Sequence, residues 1–199
     1  QERLKTVIAE VDRLDRRISH LLSFSRPAPF RPMPEQLSRL LEGLLPPFGG
    51  QLRDRGILLE THLPDDLPEV QVDPIQLEQA LVEIIANALE AMPQGGRLTI
   101  RGAHEQEEGK AGAVVLEIAD TGEGIPEQVL PSVCTPFFTT KADGTGLGLA
   151  IAKRYVAQNG GRLEIASAQG AGTRVRICLP PVRRAADSFG AAVSQGQTA

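Results

Sequence analysis

Three alternate glycines run straight into an apolar stretch at Gly144-Thr145-Gly146-Leu147-Gly148-Leu149-Ala150-Ile151. Glycine lets backbone N–H groups approach an anion closely, and the first N–H groups of a helix have no partner within it. With the helix dipole behind them, those donors favour a polyphosphate. Two other stretches place polar groups in apolar surroundings. Glu83 and Asn87 lie four residues apart, so they stack on one face of a largely apolar helical segment. An Asn carbonyl is a hard oxygen that Mg²⁺ accepts alongside phosphates and water, and a Glu can orient or deprotonate a water or hydroxyl. Asp120 ends an apolar run and precedes Thr121-Gly122-Glu123-Gly124, a setting in which a carboxylate can accept a hydrogen bond from an amine such as that of adenine. Each of the three also has a plain alternative: a loop-to-helix turn, a solvated helix edge, a glycine-rich turn.

Several other chemistries are excluded. No G-x-x-x-x-G-K-[ST] occurs, since Gly109-Lys110 has no glycine five residues earlier and is followed by Ala111. The late G-x-G-x-G spacing does not fit a dinucleotide fingerprint. Cys134 and Cys178 are far apart and His20, His62 and His104 lack ligand spacing, which argues against a zinc site or disulfide framework and for buried thiols in a reducing compartment. A formal charge of −4 gives no electrostatic reason to expect nucleic acid as a partner. With 41% hydrophobic residues in 199, the chain suits one globular domain with an appendage. No apolar run is long enough to cross a membrane, so no membrane contact is expected within the chain, and a cytoplasmic location is. The start at Gln1 reads as a fragment whose upstream part could be anchored in a membrane.

The elements that must hold these residues follow from periodicity. Over residues 1–26, Leu4, Val7, Val11, Leu14, Ile18 and Leu21 make a heptad seam, predicting a long coiled-coil-type helix that pairs with another helix or a second copy. His20 falls off that seam and reads as a surface histidine. Pro27, Pro29, Pro32 and Pro34 predict a stiff linker over 27–34. A helix is expected over 35–45, broken by Pro46-Pro47 and Gly49-Gly50; strands over 56–63 and around Val70 to Val72 follow. Asp73 then caps a helix with Pro74 at its first position, running to about Met92. Strands over 96–101 and 113–119 lead into Asp120, and residues 183–199 read as a flexible tail.

Taken together, Asn87, Asp120-Thr121-Gly122-Glu123-Gly124, Pro136-Phe137-Phe138-Thr139-Thr140-Lys141 and Gly144-Thr145-Gly146-Leu147-Gly148-Leu149 resemble the ATP-binding region of sensor histidine kinases of the nitrogen-sensor type. They stand in the order of that family's asparagine, first glycine, phenylalanine and second glycine boxes. The wider superfamily includes DNA gyrase, a heat-shock chaperone ATPase and mismatch-repair ATPases. The closing strand Gly170 to Pro180 is similar to the family's last strand.

The resemblance implies an α+β fold, a two-layer α/β sandwich of the Bergerat type over 35–182, with residues 1–26 as the second helix of a dimerisation and phosphotransfer hairpin. It implies that Asp120 accepts from the adenine amine with Thr173 assisting through water, and that Gly122 and Gly124 shape that pocket. Asn87 would hold Mg²⁺. Gly144, Thr145, Gly146, Leu147 and Gly148 would wrap the triphosphate with Thr140, Lys141 would reach the terminal phosphate, and Phe137 and Phe138 would anchor a lid. The cofactors implied are ATP and Mg²⁺; the partners are a response-regulator receiver domain and a second copy of the chain. The helix that carries the family's phosphoacceptor histidine has no counterpart in the sequence, and no H-[DE]-x-x-x-P follows His20. Glu83 stands where relatives often have asparagine, and in the gyrase and chaperone branch a glutamate there resembles a water-activating base. A hydrolytic ATPase using Glu83 is therefore the alternative to a kinase in which Glu83 and Lys141 act on phosphoryl transfer.

Overall fold

The computed structural model describes residues 29–106, 112–141 and 144–182. The helix expected over 1–26 and the tail over 183–199 lie outside them. Five strands form a mixed sheet in the order β2-β4-β5-β7-β6: β2 (Ile57–His62), β4 (Gly96–Glu105), β5 (Ala113–Asp120), β7 (Thr173–Leu179) and β6 (Arg162–Ser167). Among the described residues β2 and β4 run parallel, and the other pairs of this sheet are antiparallel. The sequence pattern had not predicted β6, whose alternating Arg162, Glu164 and Ala166 make a short half-polar edge strand.

Alternation along the strands separates two faces. Leu98, Ile100, Leu116, Ile118, Val175 and Ile177 are buried in one core with the apolar sides of the helices. Alternate residues turn away from it and form ion pairs: Arg97 with Glu60 at 3.3 Å, Arg174 with Glu117 at 3.4 Å, and Arg176 with Glu105 at 2.6 Å. These pairs are solvated, so they set register and solubility more than stability.

The helices are α1 (Leu37–Leu44), α2 (Gly49–Arg55), α3 (Pro74–Glu90) and α4 (Gly148–Gln158). One expectation is corrected between the first two of these. The helix α1 ends before Pro46-Pro47, as expected, but Gly49-Gly50 do not act as a break: Pro46–Phe48 form a 3₁₀ turn that leads into α2, which begins at Gly49. Proline is tolerated in a first turn, where its missing N–H has no helical partner to lose. Met33 and Pro34, at the end of the expected stiff linker, belong to β1 (Met33–Glu35), which pairs antiparallel with β3 (Val70–Val72). A two-strand edge accepts Pro34, which needs only to avoid a donating position.

The start of α3 is as predicted. The Asp73 Oδ1 accepts from the N–H groups of Ile75 (3.1 Å) and Gln76 (3.2 Å), and Pro74 follows the cap. Its Oδ2 accepts from the Arg31 N–H at 2.8 Å, and its own N–H donates to Asn159 Oδ1 at 2.6 Å. Asn159 Nδ2 in turn donates to the Tyr155 carbonyl at 2.8 Å. One buried network thus fixes the start of α3 to the end of α4 and to the chain entering β1. The other ends of these helices meet at the cavity.

Candidate nucleotide site

A cavity of about 430 Å³ opens between α3, the end of β5 and the start of α4. Asp120 enters it because the final residue of β5 lies on the same strand face as the core residue Ile118, one period away. Its Oδ1 accepts from the N–H groups of Gly122 (2.9 Å) and Thr173 (3.2 Å). Among the described residues no hydrogen bond goes to Oδ2, which leaves one carboxylate oxygen fixed in place and able to accept from a ligand. Burial pushes the Asp120 carboxyl above its ordinary range, and the two N–H donors and the Lys141 charge pull it back. Ser167 braces this end from outside the lining, its hydroxyl accepting from Ile125 N–H at 2.8 Å and lying 3.0 Å from the Thr173 hydroxyl. Val175, Ile165, Ile125 and Val129 add apolar walls. A flat heteroaromatic ring with an exocyclic amine suits such a slot.

The opposite end is polar. Asn87 and Glu83 line it from α3, Glu83 being only 8% exposed, and Gly148 begins α4 beside them. A Cβ on Gly148 would stand 2.7 Å from Glu83 Oε2 and 3.3 Å from Asn87 Nδ2, so a larger residue there fits only if the Glu83 side chain shifts. Gly146 has φ +65, and a Cβ there would stand 2.5 Å from the Phe137 carbonyl carbon. The Gly146 carbonyl accepts from Phe137 N–H at 2.8 Å, which ties the phenylalanine segment to the glycine loop. Thr139, Thr140 and Lys141 close this side, with Lys141 Nζ 2.7 Å from Glu90 Oε2.

The structure brings Glu83, Asn87, Asp120, Gly124, Thr140, Lys141, Gly144, Thr145, Gly146, Gly148 and Thr173 around one cavity. Two predicted residues are set differently. Gly122 lies behind the wall, where its N–H braces Asp120 and a Cβ on it would run into the Ala91 carbonyl. Leu147 is 2% exposed and belongs to the core, anchoring the loop from beneath. The two phenylalanines also part company: Phe138 lines the cavity, whereas Phe137 has φ +67 and is 63% exposed, so it does not anchor the loop by burial. Glu90 and Glu123 line the cavity without having been singled out. Helical spacing alone would have found Glu90, three residues beyond Asn87 and on the same face.

A cavity with an open carboxylate oxygen at one end and a glycine-rich helix start at the other, on a mixed sheet backed by helices, has the form of a nucleotide-binding module. The chain belongs to the family of histidine kinase-, DNA gyrase B-, and HSP90-like ATPases, whose model matches residues 72–183, and it carries that family's ATP-binding region. It is 37% identical over 171 residues to the sensor histidine kinase ZraS of Escherichia coli K12, an overlap of 86% of this chain and 36% of that protein. The chain thus spans little more than a third of that relative's length. The mycobacterial sensor histidine kinase MprB shares the fold with TM-score 0.64 and 30% identity over 77% of this chain and 98% of that one. Full-length ShkA, solved with AMPPNP, superposes with TM-score 0.76 at 23% identity over 92% of this chain and 39% of that one, a likeness of fold. Among the described residues no helix is long and apolar enough to cross a membrane.

Proposed function

We propose that the chain is the catalytic region of a two-component sensor histidine kinase, which binds ATP with Mg²⁺ and passes the γ-phosphoryl group to a histidine on a separate helix. From there it passes to an aspartate of a response regulator. The observation that carries this reading is Asp120, with one oxygen held by two backbone N–H groups and the other open to the cavity. The purine amine donates to that oxygen, and Thr173 takes part through water. The phosphates then run toward Gly144, Thr145, Gly146 and Gly148, whose backbone can come close to them. Thr140 and Lys141 cover the terminal phosphate.

The residues present fit a metal that arrives with its ligand. Among the described residues no three His, Cys, Asp or Glu side chains converge on a metal position. Asn87 offers a single amide oxygen on the cavity wall, which suits Mg²⁺ completed by phosphates and water. When bound, the ion neutralises charge on the phosphoryl oxygens. The protein's part is positioning: the phosphorus–oxygen bond to the β-phosphate breaks as a bond to the histidine nitrogen forms, and ADP leaves. Glu83, buried beside Asn87 and Gly148, is assigned the orientation of the accepting nitrogen. We place the region in the cytoplasm, acting as a homodimer through residues 1–26.

Incubating the chain with γ-labelled ATP, with and without a separately supplied histidine-bearing hairpin, tests this reading. Label on the hairpin is expected. Free phosphate released without it, and lost on Glu83→Gln, would establish the hydrolytic alternative instead.

A further inference from the structure

Lys141, assigned above to the terminal phosphate, already holds an anionic partner. Its Nζ lies 2.7 Å from Oε2 of Glu90, 51 residues earlier, with the two side chains 38% and 45% exposed. Glu90 stands one turn beyond Asn87 on α3, and Glu90 and Lys141 both line the cavity. The Lys141 backbone is held on both sides: its N–H donates to Thr139 Oγ1 at 3.1 Å, and its carbonyl accepts from Gly144 N–H at 3.2 Å. The Lys141 charge is felt as far as Asp120. The ion pair therefore bridges the cavity from the helix that carries Asn87 to the loop that covers the phosphate end. A terminal phosphate placed there and the Glu90 carboxylate are rivals for one ammonium.

We propose that Glu90 is a specificity-determining residue, which sets the preference of the site between nucleoside triphosphate and diphosphate by holding Lys141 until a third phosphate displaces it. Lysine suits the exchange because its ammonium is a compact charge on a flexible stem, with no fixed geometry to rebuild. A solvated pair of this kind is weak and screened by salt, so a phosphate can compete with it. Triphosphate must break the pair to recruit Lys141; diphosphate stops short and leaves the pair closed. Glu90 thus lowers affinity for triphosphate alone and narrows the gap between the two nucleotides.

The inference rests on the phosphate role of Lys141, and a double-mutant cycle separates the two claims. Calorimetry is run on the full chain with Mg²⁺ and either AMPPNP or ADP, for the parent, Glu90→Gln, Lys141→Ala and the double variant. Glu90→Gln is expected to tighten AMPPNP by about 2- to 5-fold, equivalent to about 0.4–1 kcal/mol at 1.4 kcal/mol per tenfold, with ADP unchanged. The gain should vanish in the Lys141→Ala background and shrink as salt is raised. If Lys141→Ala weakens AMPPNP while Glu90→Gln leaves it unchanged, the phosphate role stands and the Glu90 proposal is overturned. Equal tightening of both nucleotides also overturns it, since that is general repulsion. If Lys141→Ala leaves AMPPNP unaffected, both claims fall.

Discussion

At the scale of single residues, Asp120 carries the most consequence, because the burial that makes its open oxygen selective also makes its charge costly. Its carboxyl is held above the ordinary 3.8. A carboxyl raised in the folded state favours folding when protonated: that contribution is complete below 3.8 and disappears as pH climbs through the raised folded value. The melting temperature of the nucleotide-free parent minus that of Asp120→Asn should therefore decline with rising pH across this window. Near neutral pH the variant should be no less stable than the parent. Nucleotide binding has the opposite dependence, since the purine amine needs the ionised acceptor, and parent affinity should drop as pH is lowered through the same range. At neutral pH Asp120→Asn is expected to weaken AMPPNP about 10- to 100-fold, the scale of a hydrogen bond to a charged group. Asn87→Ala acts on a separate term. The ratio of AMPPNP affinities measured with Mg²⁺ and with EDTA should collapse toward one in that variant, and an unchanged ratio would remove Asn87 from the metal.

At the scale of elements, the site depends on how closely α3 and the start of α4 approach. Gly148→Ala puts a methyl group within 2.7 Å of Glu83 Oε2 and should weaken AMPPNP about tenfold by pushing the helix start off the cavity. Glu83→Ala in the same chain opens that space and should restore part of the affinity; no recovery would mean that the contact is not what limits Gly148. The far ends of the same helices give a contrasting case. Asp73→Ala removes a cap worth about 1–2 kcal/mol and the tie to Arg31, so it should lower the melting temperature while leaving nucleotide affinity within twofold.

These elements also show what could be read in the sequence. The helix beginning at Asp73-Pro74 was legible because cap, proline and apolar spacing agree, and Asp120 because a polar residue followed by glycines ended an apolar strand. The helix at Gly49 was not, since two glycines argue for a break, whereas its support is tertiary: Leu52 and Phe48 pack in the core and Arg55 donates to the Leu89 carbonyl at 2.6 Å. Edge strands β1 and β6 were hidden by prolines and alternating charges, because an edge makes fewer demands on its residues. The Glu90 to Lys141 contact joins residues remote in sequence, and no local pattern announces it.

At the scale of the whole molecule, cavity and core share residues. Ile118 is 1% exposed and packs in the central cluster, yet it also lines the nucleotide cavity, as do Ile84, Ala88 and Val175. Filling the cavity should therefore stabilise sheet and helices together. A ligand at 100 times its dissociation constant stabilises by about 2.7 kcal/mol. In a domain of this size each kcal/mol moves the midpoint by about 2–4 °C. AMPPNP with Mg²⁺ should thus raise one melting transition by about 5–10 °C, seen alike by far-ultraviolet circular dichroism and by calorimetry. Ile118→Ala should lower the nucleotide-free midpoint by about 4–20 °C, from the roughly 2–5 kcal/mol of a buried Ile-to-Ala change, and should also reduce the ligand shift. The joint loss is the discriminating outcome. If Ile118→Ala lowers the midpoint while the AMPPNP shift keeps its parent size, the base does not lie against β5, and the orientation of the nucleotide along the cavity is wrong.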